Sequence, residues 1–173
     1  MKVSAGLFLF VTVMSSVACT ASTGRDAQEA VSIAVEALYS NTKCGHLKPE
    51  ASVRWVNNDA QLARTYQLFQ RDVIGAAPAM LPEIDFSRHR VVLVEMGRQP
   101  TLGYRLGLNQ TLPGIVDGRL EIVLDWIEPA KNMMVGEMLT SPCLLLKVER
   151  GPYHQVWFKD QFGLKRVSLA VSR

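Results

Sequence analysis

Strict alternation marks one element of the chain: in "RLEIVLDWIE", Leu120, Ile122, Leu124 and Trp126 alternate with Arg119, Glu121, Val123 and Asp125. Successive side chains on a strand point to opposite faces, so this pattern predicts a half-buried strand. "RVVLVEM" is apolar on both faces apart from Glu95, as expected of a strand covered on two sides. "CLLLKVE" and "HQVWFKD" are further strands, joined by Arg150, Gly151 and Pro152 as a turn, and "KRVSLAV" closes the sheet.

The pattern changes toward the N-terminus. From Asp26 to Tyr39, Ala27, Ala30, Val31, Ala34 and Leu38 fall at helical spacing and predict a helix, against the β-branched content of "VSIAV". "SVRWVNN" reads as a short strand with Val53 and Trp55 on one face, and Asn58 as the cap of a helix from Asp59 to about Arg71. In that helix Leu62, Tyr66 and Phe69 make one face, and Pro78 and Pro82 keep the segment up to Phe86 irregular. The fold class is therefore α+β and mostly β. An antiparallel β-sandwich or open barrel occupies the C-terminal half, with one or two helices from the N-terminal part. No internal repeat or low-complexity segment interrupts it.

The first residues change the picture of where this fold works. Lys2 and the uncharged run "AGLFLFVTVMSSVA" have the order of a secretory signal peptide over residues 1–18, and the run is shorter than the roughly 20 apolar residues of a membrane span. The organisation that follows is a signal peptide at 1–18, an α+β segment at 19–83 packing on the sheet, and a β domain at 84–173. Cys19 follows Ser16, Val17 and Ala18, which resembles a bacterial lipobox with Ser16 where Leu is usual; cleavage after Ala18 or Ala21 is the alternative. The lipobox implies a lipid on Cys19 that tethers the protein to a membrane, with acyl chains contributing about 0.8 kcal/mol per buried methylene. By analogy with Gram-negative lipoproteins, Thr20 in place of Asp implies the outer membrane, facing the periplasm, and a soluble periplasmic protein is the alternative.

Three cysteines in an exported chain leave one odd, and lipidation of Cys19 removes it. Cys44 and Cys143 then either bridge in an oxidising compartment or stand as two separate buried thiols. A bridge would close a loop of about a hundred residues, worth about 4 to 5 kcal/mol in the chain-entropy model.

Charge and candidate chemistry exclude more than they assign. Residues 1–18 hold only Lys2 among charged residues, so the chain without them carries 18 basic and 16 acidic side chains, a formal net charge of +2. The basic residues are scattered among acids, so nucleic-acid binding has no support. His46, His89 and His154 stand apart without metal-ligand spacing. Cys44 and His46 lack an orienting third group, and Ser87 and His89 lack the G-x-S-x-G elbow. Glu83, Asp85 and Asp117 have no paired-carboxylate spacing. No catalytic residue, cofactor, metal or small-molecule substrate is therefore expected. Met133, Met134 and Met138 cluster in "EPAKNMMVGEMLTSPC"; with only Cys143 nearby to complete a Cu(I) site, core filling is the expectation.

One loop stands out as a binding element. In "GRQPTLGYRLGL", Pro100 fixes φ near −65° and Gly103 can take positive φ, so the corner is pre-organised and little ordering entropy is lost on contact. Gln99, Pro100, Thr101, Leu102, Gly103 and Tyr104 are the candidate binding residues. The alternative is internal, with Tyr104 tucked into the sandwich and bonded to a carbonyl.

At these residues the chain resembles a known family. "DFSRHRVVLVEMGRQPTLGYRLGL" followed by "IEPAKNMMVGEMLTSPCLLLKVE" is similar, over residues 84–149, to the C-terminal domain of the PrcB family, named for a subunit of a bacterial protease complex. The shared order is Asp-Phe-Ser, an apolar strand, Gly-x-x-Pro-Thr-x-Gly-Tyr, a Met-rich turn and Thr-Ser-Pro; Leu102 stands where the family usually has Gly. The resemblance implies a non-catalytic envelope protein that binds another envelope protein, as an accessory or stabilising subunit of a protease complex. The loop also resembles the Asn-Pro-Thr-Thr-Gly-Tyr loop of chagasin-type cysteine protease inhibitors, with Gln99 and Leu102 departing and no Arg-Pro-Trp segment elsewhere. That likeness implies an inhibitor acting through Pro100 to Tyr104. A structural lipoprotein without a client is the third reading.

The lipobox reading has a direct check. Cys19→Ser should abolish incorporation of labelled palmitate and move the protein from the membrane pellet to the soluble fraction.

Overall fold

The computed structural model describes residues 32–45, 48–70 and 80–171. Among them the chain forms strands β1 (Val35–Asn41) and β2 (Ser52–Val56), helix α1 (Asp59–Gln70), and strands β3 (His89–Glu95), β4 (Arg105–Leu108) and β5 (Gly114–Val116). Strands β6 (Arg119–Ile127), β7 (Cys143–Glu149), β8 (Gln155–Asp160) and β9 (Lys165–Ala170) complete it. Two sheets face each other and do not close into a barrel. The first has the order β1-β7-β3-β2 and is antiparallel throughout; the second has the order β4-β6-β8-β9, with β5 also on β6.

Helix α1 covers the outer face of the first sheet, which explains why β3 and β7 are apolar on both faces. Val92, Val94, Leu144, Leu146 and Val148 belong to the core between the sheets, with Leu120, Ile122, Leu124, Trp126, Val156 and Phe158 opposite. Val91, Leu93, Cys143 and Leu145 belong to the second core, beneath Leu62, Tyr66 and Phe69 of α1. The helix begins where its cap predicts: Asn58 Oδ1 accepts the Gln61 N–H at 2.9 Å, and Gln61 Oε1 accepts the Asn57 N–H at 2.8 Å. The Tyr39 ring stacks on Phe69 at 4.4 Å between centroids.

Two expectations need correction. The helix expected from Asp26 to Tyr39 is absent over its described part, where Val35–Asn41 is strand β1, paired with β7; residues 26–31 lie outside the described residues. Helical spacing of small residues lost to strand pairing, and a bulge between Ala37 and Tyr39 turns Leu38 and Tyr39 onto the helix-side core while Val35 joins the other. The second sheet is not wholly antiparallel, because β6 and β8 run parallel. The reason is that Arg150, Gly151 and Pro152 do not turn a hairpin; they carry the chain from β7 in one sheet to β8 in the other. Ser87 lies in a turn just before β3.

The sheets are tied at both margins. Ser40 Oγ donates to the Leu106 carbonyl at 2.7 Å, bridging β1 and β4, and Trp55 Nε1 donates to the Ala170 carbonyl at 2.8 Å, bridging β2 and β9. Cys44 and Cys143 form a disulfide, with Cα atoms 6.0 Å apart and a separation of 99 positions in sequence.

Leu145, fully buried on the helix side of β7, is the sharpest probe of this layering. Leu145→Ala should cost about 2 to 5 kcal/mol in denaturant unfolding. Leu112→Ala, at an exposed position, should change stability by less than about 0.5 kcal/mol.

Candidate functional site: two crossover loops at one end

Both connections that pass between the sheets at the Glu95 and Ile127 end belong to the sequence pattern singled out above. Residues 96–104 lead from β3 to β4, and residues 128–142 lead from β6 to β7. They are laced together by backbone bonds: Gln99 and Thr140 exchange N–H···O bonds of 2.8 and 2.9 Å, and the Leu102 N–H donates to the Gly136 carbonyl at 3.0 Å. Thr140 Oγ1 adds a bond to the Thr101 carbonyl at 3.0 Å.

The segment after β1 clamps this pair. Ser141 Oγ accepts the N–H groups of Cys44 and Gly45 at 2.9 and 3.0 Å, the Ser141 N–H donates to the Thr42 carbonyl at 2.8 Å, and the Arg98 N–H donates to the Lys48 carbonyl at 2.7 Å. The disulfide lies directly beside these bonds. Gly97 is required by the same closeness, since a Cβ there would stand 2.3 Å from the Pro49 carbonyl oxygen. Gly103, at φ +97°, makes the corner, and a Cβ on it would press on Pro129 at 3.1 Å.

The six candidate residues separate accordingly. Pro100, Leu102 and Gly103 are exposed; Gln99 and Thr101 are half-buried, and Gln99 turns its amide back to the Met96 carbonyl at 2.9 Å. Tyr104 is half-buried and packs against the core between the sheets, so its ring serves the fold. Leu102 is thus the apolar side chain that this loop presents. The methionine expectation is corrected as well: Met133, Met134 and Met138 do not fill the core but are exposed, together with Leu139, on the partner loop. Residues 128–142 cross between sheets instead of continuing a strand, and a crossover on the surface has no core to fill.

A third loop at the same end was not singled out from sequence. The β8–β9 hairpin turns at Gln161, Phe162, Gly163 and Leu164 around Asp160, which is almost fully buried. Asp160 Oδ1 accepts the N–H groups of Phe162 and Leu164 at 2.9 Å each, and Oδ2 accepts Arg166 Nε at 2.9 Å. Burial alone would raise the Asp160 carboxyl, but the two backbone bonds and the Arg166 guanidinium outweigh it and hold it below the usual carboxylate range. Gln161 ties the hairpin to β6 by accepting the Trp126 N–H at 2.9 Å and donating to its carbonyl at 3.2 Å, and Arg166 reaches Glu128 at 3.2 Å. Asp-x-x-Gly between alternating strands was the legible signal for this turn.

Ser87 and His89 do not assemble as a nucleophile and its base. Ser87 Oγ donates to Asp85 Oδ1 at 2.6 Å, and His89 Nδ1 lies 3.2 Å from the Asp85 carbonyl oxygen, so the hydroxyl is not directed to the imidazole. Among the described residues no three His, Cys, Asp or Glu side chains are placed to hold a metal ion. Cys19 and His46 lie outside the described residues.

Residues 90–149 match the family model described as PrcB C-terminal, which spans both crossover loops and the β3, β6 and β7 strands that carry them. The match agrees with the resemblance seen in the sequence, and the family is one of accessory subunit domains with a protease-complex association. No curated protein and no solved structure matches the chain.

Asp160→Asn keeps an acceptor for the turn but removes the charge that holds Arg166. It should cost about 1 to 3 kcal/mol near neutral pH. Because the folded carboxyl is lowered, its contribution is complete above the unfolded value near pH 4 and is lost as pH falls through the lower folded value. Unfolding followed from pH 7 down to pH 2 should therefore show the gap between the native protein and the variant closing only at the acid end.

Proposed function

We propose that the protein is a non-catalytic envelope protein that binds another envelope protein through its paired crossover loops, as an accessory or stabilising subunit of a protease complex. One observation carries the reading. The two loops of the family-matched segment hold each other by backbone bonds and keep Leu102, Met133, Met134, Met138 and Leu139 exposed together. Exposed apolar side chains gathered on one region are unfavourable in water, and binding surfaces are where they are retained. Methionines suit such a surface because the unbranched thioether side chain adapts to a partner. The lipid on Cys19, with the outer membrane as its location, belongs to the same proposal.

The test is affinity capture from cross-linked envelope, with the mature protein beside a Leu102→Ala, Met134→Ala version. A single protease recovered by the native protein and reduced at least tenfold by the variant, which remains folded by circular dichroism, is the expected result. Undiminished hydrolysis of peptide by that protease in the complex distinguishes an accessory subunit from an inhibitor. Equal recovery by both forms would move the interface away from these loops.

A further inference from the structure

The apolar exposure does not stop at the two crossover loops. Among the described residues twelve large apolar side chains are exposed, and seven of them gather at this one end: Leu102, four on residues 133–139, and Phe162 and Leu164 of the β8–β9 hairpin. Phe162 is 85% exposed and Leu164 60%. The hairpin lies beyond the family-matched segment, yet it is fixed to that segment through Gln161 on Trp126 and Arg166 on Glu128. Glu128 precedes Pro129, against which Gly103 packs, so the three loops share one frame.

We propose that Phe162 and Leu164 form a second anchor of the same binding surface, and that its occupant is a protein presenting an apolar cleft bordered by carboxylates. The proposal rests on the reading that the crossover loops bind a protein, and it adds the hairpin and the chemistry of the partner. The charge around the loops gives the border. Arg98, Arg105, Lys131 and Lys165 are exposed, and none forms an ion pair with a described residue, while Glu128 is already engaged by Arg166. A second copy of the chain would set these four cations against their equals. The directional bonds that fix the loops, three of them on the Asp160 carboxylate, reward a partner of defined shape, which a fluid surface is not. The first and last described residues, Ser32 and Val171, lie toward the opposite end, beside Gly151 and His154.

The test places a photo-reactive phenylalanine analogue at position 102, 162 or 112 of the full chain and irradiates the cells that make it. Leu112 is 83% exposed but stands at the opposite end, next to Val35, and controls for adhesion to any apolar side chain. Positions 102 and 162 should label the same protein and position 112 should not, and Lys131→Glu with Lys165→Glu should reduce the adducts at least tenfold. Labelling from 102 alone would overturn the hairpin anchor while leaving the crossover-loop reading intact. Labelling from neither would overturn both. Lipid adducts at 162, or equal labelling from 112, would overturn the protein cleft, and adducts indifferent to the charge reversals would overturn its acidic border.

Discussion

Burial of the β3–β7 pair on both faces is the constraint on which the rest depends. Side chains alternate along a strand, so a strand apolar at every position needs cover on each side. Here the second sheet covers one face through Val92, Val94, Leu144 and Leu146, and α1 covers the other through Val91, Leu93 and Leu145. The chain must therefore pass repeatedly from one sheet to the other, and two of these passages emerge together at the end where β3 finishes and β7 begins.

That placement gives the loops their rigidity. A crossover leaves the ladder and must satisfy its backbone groups elsewhere. Residues 96–104 and 136–142 do so largely on each other and on residues 42–48, with Ser141 as a shared acceptor and donor. The disulfide holds the same junction covalently, so the apolar tips project from a frame with little freedom to fold back and cover them. Gly97, Pro100 and Gly103 have roles in this frame: a close approach, a fixed torsion and a positive φ.

Much of this was legible along the chain. The alternation of β6, the two-faced run of β3, the Asn58 cap and the unusual corner at Pro100–Gly103 each express a local rule, and each is found where the rule places it. What escaped involved distant partners. Small residues at helical spacing before Tyr39 became a strand because β7 offered an edge. Composition does not say which side of a crossover faces solvent, so the exposure of the methionines depends on the fold. The hairpin Val116-Asp117-Gly118-Arg119, with Asp117 and Gly118 both at positive φ, is an Asp-Gly turn whose local signal is weak because the strand before it is three residues long.

By itself the sequence determined the period of β2, β3 and β6 to β9, the start of the helix and the pre-organised corner, since these follow from torsions and side-chain alternation within a few residues. It also carried the family pattern over residues 90–149. Only the tertiary structure decided that β6 and β8 run parallel and that Cys44 meets Cys143. It alone decided that Tyr104 serves the core while Leu102 does not, and that three loops separated by up to sixty residues present their apolar side chains at one end. The physical reason is the same in each case: burial and pairing depend on which segments the two-faced central strands bring together, and no local pattern encodes the neighbour.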